Sequence, residues 1–202
     1  TPDRTGRHVG APHGRDAFRC VVENRSIAPM GRSYRCFPKM ADSSDADAAP
    51  PDVLRVRDLP PGAADALLAS HGLQLHFVDD AAPIPGSFWG EPEAGVIAHN
   101  VYVRGDTPVH SMLHEACHLI VLPAERRAQV HTDATDSVIE EDATCCLQII
   151  LADDLPGVGR HRLMGDMDAW GYTYRLGSTR AWFEQDADDA RAFLKERGLP
   201  HR

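Results

Sequence analysis

The sequence predicts an α+β fold. A small mixed or antiparallel sheet packs on a helix carrying "HEACH" and on a following glutamate-bearing helix, with further helices toward the C-terminus. Three observations lead there. Two short alternating or β-branched runs, "LQLHFV" (73–78) and "VIAHNVYV" (96–103), precede the helical half of the chain. Helix start and stop residues bracket "TPVHSMLHEACHLIVLP". The run "ATCCLQIILA" is apolar almost all round, as a buried helix is.

Composition bounds the function classes. The chain has 202 residues, enough for one cored domain and a tail. Hydrophobic content of 43% and charged content of 25% are those of a globular protein. A net charge of −9 argues against a nucleic-acid partner. No apolar run is long enough for a membrane span, so no membrane partner is expected. The opening "TPDRTGRHVG" lacks the apolar core of a secretory signal. The five cysteines, Cys20, Cys36, Cys117, Cys145 and Cys146, form no CxxC pair. They read as reduced thiols in a cytoplasmic protein, without a cysteine-built zinc site.

The elements follow in chain order. Residues 1–50 read as a tail, poor in apolar clusters and containing "ADSSDADAAPPD". Residues 1–39 are expected to be upstream sequence before a start at Met40. The single domain is expected to span residues 51–202. "PPGAADALLASHG" predicts a first helix closed by Gly72. Strands are expected over 73–78 and 96–103, joined by the Pro/Gly-rich "DDAAPIPGSFWGEPEAG". Asp106 or Thr107 caps the next helix, with Pro108 at its first position and Pro123 just past its end. Asp136 or Ser137 starts a helix running to about Ala152. "GRHRLMGDMDAWGY" predicts a shorter helix, and "STRAWFEQDADDARAFLKERG" a last one, capped by Ser178 and closed by Gly198.

The chemistry centres on His114, Glu115 and His118. Residues four apart on a helix share a face, so the two imidazoles can hold one Zn2+ ion. Glu115, beside them, suits the general base toward a water that the ion activates. A third ligand is needed. The acids opening the buried helix "SVIEEDATCCLQIILA" are its best source, with Glu140 preferred and Glu141 as the alternative. Ser137 and Glu140 also fit a capping box, which would give Glu140 a purely structural role.

The residues "HEACH" followed by "EEDAT" (Glu140 to Thr144) resemble the gluzincin branch of the zincin-like metallopeptidases. The order of strand, HExxH helix and glutamate helix is similar to that of small ImmA/IrrE-like bacterial peptidases. The resemblance covers about residues 73–152. It implies zinc held by His114, His118 and Glu140, with Glu115 as base cleaving an amide bond in a peptide or protein substrate. Cys117 and Thr144 depart from the family pattern. A metal-binding regulatory or sensor domain without peptidase activity is the alternative.

Several other residues are candidates for substrate contact or for supporting the ligands. His110 lies one turn before His114. His99 and Tyr102 lie on the strand that, in zincins, pairs with extended substrate. Tyr172, Tyr174, His161 and Arg162 offer groups to stabilise an oxyanion. Phe88 and Trp89 line a substrate loop or plug it from beneath. Cys117, Trp170, Trp182 and Phe183 read as packing residues. Oligomeric state is not legible.

Overall fold

The computed structural model describes residues 52–202. The predicted tail over 1–50, the expectation for residues 1–39, and Cys20 and Cys36 lie outside the described residues. Within them the architecture is mixed α+β, with seven α-helices and one three-stranded mixed sheet. No helix among the described residues is long and apolar enough to cross a membrane.

Helix α1 (Ala63–Ser70) buries Ala64, Leu67 and Leu68 and hands over to β1 (Gln74–Phe77) through Gly72, at φ 72°. The predicted strand over 96–103 is two strands instead. β2 (Gly95–Ile97) and β3 (Asn100–Val103) pair antiparallel around a two-residue turn. Ala98 takes φ 54° in that turn, where Gly or Asn is usual, and the Asn100 side chain donates to the Ile97 carbonyl at 3.1 Å. Without Gly or Pro at 98–99, the apolar run carried no turn signal. β3 is central, parallel to β1 on one side and antiparallel to β2 on the other. Its Val101 and Val103 are buried, while Tyr102 stacks on His76 with ring centroids 5.0 Å apart.

The outer edge of β2 is occupied by two loops. The Val96 amide donates to Gly86 O at 3.2 Å, Ala98 N to Val130 O at 2.8 Å, and Thr132 N to Val96 O at 3.0 Å. Gly86 and Gly95 interlock there: a Cβ on Gly95 would lie 2.2 Å from Pro85 O, so only glycine permits the approach.

Helix α2 (Val109–Val121) begins after Pro108 and stops before Pro123. Pro108 is its cap residue rather than its first helical one, and Thr107 accepts from Arg104 N at 2.9 Å instead of capping. A short α3 (Ala124–Arg127) follows, then α4 (Val138–Leu151), buried from Glu140 to its end. Ser137 precedes α4 but its side chain makes no cap bond, so the capping box does not form. α5 (Gly159–Trp170) ends at Gly171, φ 105°. The predicted last helix is two, α6 (Thr179–Gln185) and α7 (Asp188–Glu196), broken at Asp186–Ala187. Ser178 caps α6, accepting from Ala181 N at 3.1 Å, and Gly198 follows α7 at φ 69°. The core lies between the sheet, α2, α4 and α5, and includes Met112, Leu119, Leu147, Leu163 and Met167. Cys117, Cys145 and Cys146 are buried thiols that form no disulfide.

Candidate metal centre

The site forms where α2 packs on α4. His114 and His118 project from one face of α2, and their Nε2 atoms converge to 3.1 Å. The Glu141 carboxylate closes a triangle: one oxygen is 3.4 Å from His118 Nε2, the other 3.8 Å from His114 Nε2. With metal–ligand bonds of about 2.0–2.1 Å, two ligands of a tetrahedral ion sit about 3.3 Å apart. These contacts lie near that spacing, and one ligand atom from each of the three residues lies within 4.8 Å of the other two. One Glu141 oxygen is buried and accepts no hydrogen bond. Three converging ligand atoms and one orphaned buried oxygen fit a metal ion.

Glu141 rather than the predicted Glu140 faces the histidines. Glu140 sits about 100° around α4 from Glu141 and points away from α2. There Arg126 donates to both its oxygens, at 2.6 and 3.1 Å, and Thr135 Oγ1 to one at 2.5 Å. Arg197 lies 3.7 Å away. Burial opposes ionisation of Glu140, but Arg126 and Thr135 hold its pKa below the ordinary carboxylate range.

Both ligand imidazoles are backed from α4. His118 Nδ1 lies 3.3 Å from Thr144 Oγ1. His114 Nδ1 and Gln148 Oε1 are both buried without a hydrogen-bond partner. They are complementary donor and acceptor, and Gln148 raises the His114 pKa against the larger effect of burial. The Gln148 amide nitrogen donates to Met167 Sδ on α5 at 3.1 Å, which turns Oε1 toward His114. Glu141, Thr144 and Gln148 thus share one face of α4. That spacing is visible in the sequence, although only the packing of α4 on α2 gives it meaning.

The electrostatics suit ligation. Burial lowers the His114 pKa to about 4 and that of His118 well below its ordinary value, so both are neutral, as metal ligands must be. Glu141 is pushed up to about 8 by burial, and then by Asp133, Asp142 and Glu140. Glu115 is raised well above its ordinary value by burial and by Glu141, Glu93 and Asp133. A bound divalent cation reverses this crowding of negative charge.

Comparisons with protein-family models, curated proteins and solved structures returned no match for this chain.

Glu115 opens into the same cleft of about 230 Å³ as the three ligand residues. Its floor includes Ser111, and Tyr172 lines it beside His114, with ring centroids 6.1 Å apart. Phe88 and Trp89 also line it, so they are not a plug. Other candidates lie elsewhere. His110 is buried behind His114 against Trp170 and Tyr172, at centroid distances of 5.2 and 5.6 Å. Its ring nitrogens have no hydrogen-bond partner, and burial, then His114 and Arg55, lower its pKa to about 3. His99 and Tyr102 do not line the cleft, and both edges of β3 are paired, so that strand offers substrate no free edge. Tyr174 stacks on Trp182, Arg162 pairs with Asp166, and His161 is exposed.

Proposed function

We propose that this chain is a zinc-dependent hydrolase of zincin-like type, cleaving an amide bond in a peptide, with His114, His118 and Glu141 as the ligands and Glu115 as the general base. The triangle of ligand atoms with Glu115 in the same cleft carries the reading. Two neutral imidazoles and one carboxylate are the donor set of a catalytic zinc site that keeps one position open. When bound there, zinc supplies Lewis acidity toward a carbonyl and lowers the pKa of water to about 7.

The chain's own residues supply the rest. Glu115 takes a proton from the attacking water and returns it to the leaving amine. Thr144 and Gln148 fix the ring orientations that aim both Nε2 atoms at one point. Among the described residues, Tyr172 is the one beyond α4 that lines the cleft, which makes it the candidate partner for the developing oxyanion. A bound cation would satisfy the orphaned Glu141 oxygen, and the HExxH pattern puts the base beside the ligand histidines.

Zinc analysis and peptide turnover of Glu115→Gln test the proposal. The variant should retain one zinc per chain and lose hydrolysis. A wild-type protein without stoichiometric zinc, or a variant as active as wild type, overturns it.

A further inference from the structure

We infer that the cleft selects a peptide carrying a lysine or arginine side chain beside the amide to be cut. The inference deepens the hydrolase reading and rests on it for the site, although substrate binding alone can test it.

The cleft has two unlike walls, both anchored to the outer edge of β2. One comes from the loop interlocked through Gly86. It presents Phe88 and Trp89, which are 55% and 38% exposed and pack edge to face with centroids 4.9 Å apart. The other is the segment held by Thr132 N on Val96 O, and it presents Asp133 and Asp136. Glu93, Glu115 and Glu141 line the interior, and among the described residues no lysine or arginine lines the cleft. One divalent cation leaves a formal excess of three negative charges over these five carboxylates.

Several carboxylates outside the cleft are paired with arginine: Asp106 with Arg104, Asp153 with Arg160, Glu140 with Arg126. The two arginines nearest in sequence to the acidic wall are turned away from it. Arg126 binds Glu140, and Arg127 reaches the His71 carbonyl at 3.4 Å. Asp133 and Asp136 make no side-chain hydrogen bond or ion pair among the described residues. An anionic substrate would meet repulsion from every charged lining side chain. A basic side chain can lay its alkyl stem on Phe88 or Trp89 and its charge toward Asp133 and Asp136.

Titration calorimetry on zinc-loaded Glu115→Gln, which binds without turnover, tests this. The probes are N-acetylated, C-amidated alanine peptides differing at one central position: Lys, norleucine or Glu. Acetylation leaves the side chain as the sole cation. The Lys peptide should bind at least about tenfold more tightly than the norleucine peptide in about 50 mM salt, and the gap should shrink in about 0.5 M salt. The Glu peptide should bind most weakly. Asp133→Asn/Asp136→Asn should bring the Lys-to-norleucine ratio to about one, and Asp133→Lys/Asp136→Lys should favour Glu, with zinc content and melting temperature verifying the fold. Equal Lys and norleucine binding, preference for Glu, no binding of any peptide, or a ratio unmoved by the double variants overturns the inference. Hydrolysis by wild type without charge preference overturns it and leaves the hydrolase reading intact. Lys-selective binding with no hydrolysis by wild type does the reverse.

Discussion

Exchanging Glu140 and Glu141 for glutamine, one at a time, separates the ligand from its neighbour. Glu141 closes the ligand triangle at 3.4 and 3.8 Å from the two imidazoles. Four-ligand zinc sites bind with roughly 10–16 kcal/mol, so one ligand carries roughly 3–4 kcal/mol. Glu141→Gln should therefore weaken zinc binding by roughly 10²–10³-fold. Glu140 instead anchors the start of α4 to α3 through two charge-assisted bonds from Arg126. Arg126 is half exposed, so the pair lies between surface pairs at about 0.2–1 kcal/mol and buried charged bonds at about 1.5–3. Glu140→Gln should cost about 1–2 kcal/mol and lower the melting temperature by about 2–8 °C. It should shift zinc affinity by less than about tenfold, since it acts on no ligand directly. Competition against a chromophoric chelator gives the affinities, and thermal melting gives the stabilities. Zinc lost from Glu140→Gln but kept by Glu141→Gln would refute the assignment. Zinc kept at wild-type affinity by both would remove Glu141 from the ligand set.

Three further outcomes follow from the same geometry. Gln148→Leu and Thr144→Val each remove a partner behind a ligand imidazole, so each should weaken zinc binding by about 10–100-fold without touching the ion, and unchanged affinity in both would show that the rings are held by packing alone. Glu115→Gln should lower kcat for peptide hydrolysis by about 10²–10⁴-fold at constant zinc content, as loss of a general base does. Chelator-treated protein should lose stability between about pH 6.5 and 8. Glu141, raised to about 8, keeps its proton in the folded chain after the unfolded chain has released it. The buried histidines pull the other way, but only below their unfolded pKa of about 6.5. Glu141 contributes about 2 kcal/mol of fall across the window, buried Glu115 adds to it with the same sign, and Glu141→Gln should reduce the fall, read from urea midpoints.

Much of the frame is readable from local punctuation. Pro108 and Pro123 bracket α2, Gly72 and Gly171 close α1 and α5, and Ser178 caps α6. The misses occur where local signal and packing part company. The β2–β3 turn uses Ala98 and His99, which carry no turn signature, yet Ala98 N is drawn out to Val130 O and the turn closes. α6 and α7 break at Asp186, which pairs with Arg175 from outside the helix, an event no periodicity records. The same holds for Glu140. Its arginine partners come from α3 and from beyond α7, at separations of 14 and 57 residues, 57 being 197 less 140. From sequence, two adjacent acids in a first turn are equivalent, and the family-like spacing favours the first. The rotation of α4 against α2 chooses the second.

That rotation also explains how the site divides its tasks. α4 presents Glu141, Thr144 and Gln148 to the two imidazoles from one face, so ligation by that set would be as rigid as the buried contact between two helices. The walls belong to a different part of the fold. Phe88, Trp89, Asp133 and Asp136 sit on loops whose attachment is a few backbone bonds to the edge of β2, with Thr132 held at φ 71°. Changes in those loops can therefore alter what enters the cleft while leaving the triangle of His114, His118 and Glu141 in place. Changes between α2 and α4, such as enlarging Cys117 or Cys145, both fully buried, should disturb ligation first. The proposed metal centre lies on a helix pair and the proposed specificity surface on edge loops, so the two are separable by mutation, and that separability is what allows the two halves of the proposal to fail independently.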